Sequence, residues 1–175
     1  MRIDSGERKG FIIKTPKNIR PTSSFIKKSI FDTLGNYILN KEVLEIFAGS
    51  GALGFEALSR GAKSCIFVDI SRGSEKVILE NIEFLKYKDR ATFIRMDALK
   101  FLKNYNYKFD IIISDPPYNY GNYSQLLKLS KERLKEEGML ILQLSSKTQI
   151  KTNDYKIYKD YIKGETRVLF LYFKI

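Results

Sequence analysis

Four short apolar runs rich in β-branched residues constrain this chain most: Val43–Phe47, Ser64–Asp69, Ala91–Met96 and Phe109–Ser114. None alternates apolar with polar, so each belongs in a strand buried on both faces, as in a parallel sheet covered by helices. Helix-length segments at 51–60, 71–86 and 97–104 lie between them. That alternation predicts a doubly wound α/β sheet. Gln125–Glu136 extends it as a helix and Met139–Leu144 as a fifth strand. Tyr155–Ile162 and Thr166–Phe173 flank Lys163-Gly164-Glu165 and read as a closing antiparallel hairpin.

The N-terminal part has a different character. Residues 2–4 and 10–14 read as two short strands around a Ser-Gly-Glu-Arg-Lys-Gly turn. Arg20-Pro21-Thr22 stops the extended path, and Phe25, Ile26, Ile30, Phe31 and Leu34 give the next helix an apolar stripe that Gly35 ends. Residues 36–42 are the expected boundary, dividing a basic extension, 1–36, from a catalytic domain, 37–175.

Charge points to a polyanionic partner. The chain carries a formal +11 with a pI near 9.6. Much of the excess is early. Residues 1–28 contain Arg2, Arg8, Lys9, Lys14, Lys17, Arg20, Lys27 and Lys28 against only Asp4 and Glu7. Arg20 aside, these cations are the candidate contacts to that polyanion, which the family resemblance of the chain implies is RNA.

Absences narrow the chemistry. The 175 residues include no histidine and one cysteine, Cys65. Cys/His zinc sites and histidine general bases are therefore excluded, no metal ligand set is expected, and Cys65 reads as a core residue of the second strand. That leaves carboxylates, backbone groups and a bound cofactor. A single cysteine, no signal-like opening and no long apolar run lead to the expectation of a cytoplasmic protein without a membrane span; a monomer is expected as well, on no particular residue.

Glu45-Ile46-Phe47-Ala48-Gly49-Ser50-Gly51 falls where the first strand turns into its helix, and glycines there let backbone approach a ligand at a helix N-terminus. With Gly54 the run also satisfies G-x-G-x-x-G, so a nicotinamide dinucleotide remains a rival to S-adenosylmethionine at this point. Glu45, Asp69 and Asp97 all fall at carboxyl ends of strands. Asp69 suits ribose hydroxyls, Asp97 an adenine amine, and Glu45 a cationic amino group far better than a pyrophosphate. Asp115-Pro116-Pro117-Tyr118 after the fourth strand is the most specific signal. Its prolines fix an extended path without N–H groups. An acid, a rigid acceptor carbonyl and an aromatic ring then match a flipped-out base bearing an exocyclic amine.

Phe47-Ala-Gly-Ser-Gly-Ala-Leu-Gly-Phe-Glu-Ala-Leu-Ser-Arg-Gly61, with Arg20-Pro-Thr22 upstream and Asp115-Pro-Pro-Tyr118 downstream, resembles the RsmD family of bacterial enzymes that methylate guanine N2 in small-subunit ribosomal RNA. The resemblance runs from the N-terminal hairpin to Gly164-Glu-Thr-Arg-Val-Leu169. It implies a Rossmann-like class I methyltransferase with a seven-stranded, mostly parallel sheet whose last strand is antiparallel, and a hairpin that helps hold 16S ribosomal RNA. It also implies that S-adenosyl-L-methionine binds against Glu45, Phe47, the Ala48–Gly51 loop with Gly49 and Ser50, Asp69 with Ile70, and Asp97 with Ala98. Arg20, Pro21 and Thr22 would cover the cofactor, while Asp115, Pro116, Pro117 and Tyr118 would hold the guanine. Asp69 stands where the family often has glutamate, and the connection at 145–154 is short.

Two rivals remain. An adenine-N6 methyltransferase acting on RNA or DNA shares the tetrapeptide, but a DNA enzyme usually adds a recognition domain for which there is no room. A non-catalytic RNA-binding assembly factor would be expected to carry a degraded cofactor loop, and here the loop is intact.

Overall fold

A computed structural model describes residues 1–152 and 154–173. After α1 (Ser24–Leu34) and a single 3-10 turn, the chain alternates β1 (Glu42–Ile46), α2 (Ala52–Ser59), β2 (Ser64–Asp69), α3 (Arg72–Phe84), β3 (Ala91–Arg95), α4 (Ala98–Asn104), β4 (Phe109–Ser114), α5 (Tyr123–Glu132) and β5 (Leu134–Ser145). It closes with β6 (Lys156–Lys163) and β7 (Thr166–Tyr172). The seven strands form one sheet in the order β3-β2-β1-β4-β5-β7-β6. β1 to β5 pair in parallel, and β7 runs antiparallel between β5 and β6. This is the Rossmann-like class I arrangement expected from the sequence.

The apolar runs separate into two layers, one on each face of the sheet. Val43 of β1 joins Ile30, Phe31, Phe55 and Ile78 beneath α1, α2 and α3. Leu44 and Ile46 join Phe101, Leu102, Leu126 and Leu140 beneath α4 and α5. Burial on both faces explains why the central strands carry no polar alternation.

Two elements differ from the reading of the sequence. The helix expected to run to Glu136 ends at Glu132, and β5 begins at Leu134, which is buried and pairs with Phe109. The register then shifts between Phe109 and Ile111, with Glu137 at φ 60°. Gly138 belongs to this bulge, since a Cβ there would lie 2.8 Å from the Lys135 carbonyl oxygen. The N-terminal hairpin is reduced to one bridge, Arg2 to Ile12, though Ile3 and Phe11, Gly10 and Ile3, and Ile13 and Met1 are joined by main-chain bonds of 2.8–2.9 Å. Part of the short connection at 145–154, residue 153, lies outside the described residues.

The extension shares the first apolar layer through Ile3, Ile13, Ile26 and Ile30. Glu56 of α2, fully buried, accepts the backbone N–H groups of Asp4 (3.0 Å) and Ser5 (3.1 Å). Gly6 sits against α2 so tightly that a Cβ would lie 1.8 Å from the Ser59 carbonyl oxygen. Lys27 completes this junction. Its ammonium lies 3.2 Å from both Asp4 and Glu56 and bonds the Arg2 carbonyl, and the residue is only 1% exposed. Its placement among the RNA contacts is therefore corrected: a buried charge ties the extension down. Among the described residues no helix is long and apolar enough to cross a membrane.

Candidate active site

At the carboxyl edge of the sheet, where open α/β folds bind ligands, a cavity of about 580 Å³ runs from Asp69 and Ile70, past Phe47 and Gly49, to Asp115–Tyr118. A recess of about 80 Å³ continues it beneath the glycine loop to Glu45, Ala48, Ser50 and Ala52. Ile19, Arg20, Pro21 and Thr22 line both spaces. The three motifs singled out in the sequence thus converge on one site.

The glycine loop is built by positive φ angles: 54° at Phe47, 59° at Gly49 and 77° at Gly51. The value at Phe47 is costly for a residue with a Cβ and fixes the ring against Tyr120, with centroids 5.3 Å apart. Gly54 serves packing, because a Cβ there would lie 2.3 Å from the Phe67 ring and 2.7 Å from the Glu45 carboxylate. Gly51 and Gly54 are thus explained by close approach of α2 to β1 and β2, and Gly49 by the positive φ of its turn.

Acids dominate the electrostatics. Glu45 is buried and accepts the Gly54 N–H at 2.8 Å. Burial pushes its carboxyl up to about 8, with the charges of Asp115 and Asp69 adding to the effect. Asp115, partly buried at the end of β4, is raised to about 6 by desolvation, against which Arg20 acts. Asp69 accepts the Gly49 N–H (2.9 Å) and the Ser71 N–H (2.8 Å), which locks its orientation at the end of β2. Three carboxyl groups around one space, with Glu45 driven toward its neutral form, fit a ligand that brings a positive charge. S-Adenosylmethionine meets that requirement through its amino group and sulfonium; a pyrophosphate does not.

Other residues are placed differently from expectation. Asp97 and Ala98 do not line the cavity. Asp97 caps α4, accepting the Lys100 N–H at 3.0 Å, and Ala98 is buried. Tyr118 donates to or accepts from Thr166 Oγ1 at 2.6 Å, and the Arg20 guanidinium lies 4.3 Å from its ring centroid. Among the proposed RNA contacts, Lys14 pairs with Glu80 at 2.7 Å and Lys28 with Asp32 at 2.6 Å. Arg8 donates to the Leu85 carbonyl at 3.0 Å and packs over Tyr87. Arg2, Lys9 and Lys17 are exposed. Reading the sequence missed Gln143 and Thr166, which close the far wall. Gln143 did leave a signal: it is a polar residue inside the apolar run Met139–Leu144.

Residues 1–172 match the family described as conserved hypothetical protein 95. The protein named ribosomal RNA small subunit methyltransferase D of Buchnera aphidicola (Acyrthosiphon pisum) is 33% identical over 169 residues, spanning 93% of this chain and 88% of that one. The protein of the same name from Haemophilus influenzae is 32% identical over 154 residues, spanning 85% and 80%. A solved chain from Haemophilus influenzae superposes with a TM-score of 0.82 at 29% identity, covering 97% of this chain and 96% of that one. With the strand order, the cation-seeking acidic cavity and these likenesses in agreement, the chain belongs to the conserved hypothetical protein 95 (RsmD) family of S-adenosylmethionine-dependent class I methyltransferases.

Proposed function

We propose that the protein transfers the S-adenosylmethionine methyl group to N2 of a guanine in 16S ribosomal RNA. The observation that carries this reading is the position of Asp115-Pro116-Pro117-Tyr118, which continues the cavity lined by Asp69, Phe47 and Gly49. The cofactor, when bound, supplies an electrophilic methyl group on sulfur. Glu45 would hold its amino group and Asp69 its ribose, and Arg20–Thr22 lie across the opening.

On the substrate side, Asp115 and the Pro116 carbonyl accept the two N2 hydrogens. This favours a pyramidal amine with its lone pair free for in-line attack and stabilises the charge that develops on nitrogen. As N2 would take the methyl group, the methyl–sulfur bond would break and leave a neutral thioether, and N2 loses one proton, which Asp115 takes up; burial has raised its proton affinity. Tyr118 provides the stacking ring, with Arg20 moving off its face as the base enters. Residues 1–36 act as the RNA-holding extension and 37–175 as the catalytic domain. The protein works as a cytoplasmic monomer on 16S ribosomal RNA within an assembling small subunit.

Isothermal titration tests the cofactor assignment without RNA. S-Adenosylhomocysteine should bind, Glu45→Ala and Asp69→Ala should weaken it, and NAD should not compete. NAD binding in place of S-adenosylhomocysteine would overturn the reading.

A further inference from the structure

The cavity crosses the sheet. Adjacent strands are about 4.8 Å apart, and the strand order places Asp69 and Gly49 over β2 and β1, but Gln143 and Thr166 over β5 and β7. With the cofactor held in the first half, as proposed above, the half over β4, β5 and β7 is left for the base.

Gln143 is the anomaly in that half. It is 2% exposed, and its Nε2 has no hydrogen-bond partner among the described residues. A buried amide left unpaired is costly, and such groups are retained where an outside partner completes them. The Tyr118 and Thr166 hydroxyls on the same wall bond each other at 2.6 Å, and neither bonds Gln143. The remaining base-facing groups assigned above, the Asp115 carboxylate and the Pro116 carbonyl, are acceptors. They hold an exocyclic amine but cannot recognise a carbonyl oxygen.

We propose that Gln143 is the specificity-determining residue of the base pocket, donating from Nε2 to the ring carbonyl of the target purine. The pocket then selects a purine that carries both an exocyclic amine and a keto oxygen. This inference rests on methyl transfer to a guanine amine. It adds a residue and a contact that the tetrapeptide does not supply. A carboxamide suits the task because it does not titrate and offers donors at every pH of interest.

The test uses small-subunit RNA carrying either guanosine or 2-aminopurine riboside at the methylated nucleotide. The analogue keeps the 2-amine and carries hydrogen in place of the carbonyl, so neither end of the Gln143 amide finds a partner there. In single turnover the wild-type protein should favour guanosine by on the order of 10²-fold or more, as expected where a buried polar group would lose its partner. Gln143→Glu, which replaces the donor with an acceptor, should reverse the preference. Gln143→Met, similar in volume and without a donor, should reduce it to less than about tenfold. S-Adenosylhomocysteine affinity should stay within about twofold of wild type in both variants, because Gln143 lies outside the cofactor half. Equal rates on the two RNAs with wild-type protein would overturn the inference while leaving guanine methylation intact. An undiminished guanosine preference in Gln143→Met would do the same. Methylation of neither RNA, or of an adenine instead, would overturn the underlying functional reading and this inference with it.

Discussion

Glu45 occupies a position that a lone carboxylate tolerates poorly, with burial and two neighbouring acids holding its proton on up to about 8. An ammonium group beside it restores the ionised form, so binding a cationic amino acid moiety near pH 7 should expel a proton. Titration of S-adenosylhomocysteine in buffers of different ionisation heat should show that release, and Glu45→Gln should abolish it. Linkage gives a second consequence. The folded value lies above the ordinary 4.5, so the contribution of Glu45 to stability is full below about pH 4.5 and fades as pH rises toward 8. The unliganded Glu45→Gln protein should therefore gain melting temperature relative to wild type as pH increases, and a constant difference would contradict the assignment. Asp115 behaves in parallel, but its charge is needed for the chemistry. The single-turnover rate should rise with pH through about 6 and then level off. Asp115→Asn should lose that dependence and about 10²–10³ in rate, the usual cost of one electrostatic contact to developing charge. Binding of the cofactor to the variant must be measured alongside, because Asp115 also borders the cofactor recess. Asp115, Glu45 and Asp69 were legible because each ends a strand inside a local motif. Gln143 was marked only as a polar residue inside an apolar run and Thr166 not at all, because their meeting on one wall depends on β7 inserting beside β5.

The N-terminal hairpin and α1 act as one element clamped onto α2 and α3. Lys14 and Asn81 exchange backbone-to-side-chain bonds of 2.9 and 3.0 Å, while Lys27 neutralises Glu56 under the hairpin. Removing one partner of a buried pair typically costs about 3–5 kcal/mol. Lys27→Met should approach the lower end, because Arg60 still contacts Glu56 at 2.8 Å. The variant should show a lower denaturation midpoint and earlier proteolysis within residues 1–20; unchanged stability would remove Lys27 from the clamp. The proposed RNA contacts then fall to cations with free side chains. Lys9 and Lys17 are exposed and form no salt bridge among the described residues. Neutralising both should leave cofactor affinity intact and flatten the dependence of log K on log[salt] by roughly 0.7 per lost phosphate contact. An unchanged slope would mean these lysines are merely solvated. The sequence did hold the information that Lys27 is inward: Lys27, Ile30, Phe31 and Leu34 share one helical face and are all buried, whereas Phe25, counted in the stripe, is 54% exposed. A tally of charge overlooked that geometry, because hydropathy places lysine outside whatever its spacing.

Across the whole molecule, the sheet serves as a ruler. Its central strands were readable because burial on both faces forces continuous apolar runs, and their order sets what each strand end can reach. In the proposed reading β2 and β1 bring Asp69 and the glycine loop to the cofactor, β4 brings the acid and carbonyl that hold an amine, and β5 and β7 close the pocket around the base. The bulge at Glu137–Gly138 was not readable, since Gln125–Glu136 keeps helical composition past the point where Leu134 is captured by Phe109. The division of labour along the sheet makes one measurement decisive. Small-subunit RNA, naked and as ribonucleoprotein, is incubated with the protein and labelled S-adenosylmethionine in single turnover, then digested to nucleosides and identified by mass spectrometry. The account predicts N2-methylguanosine at one nucleotide, formed about 10²–10³ times more slowly by Asp115→Asn while cofactor binding persists. N6-methyladenosine, or no methylated nucleoside in either form of the RNA, would contradict it.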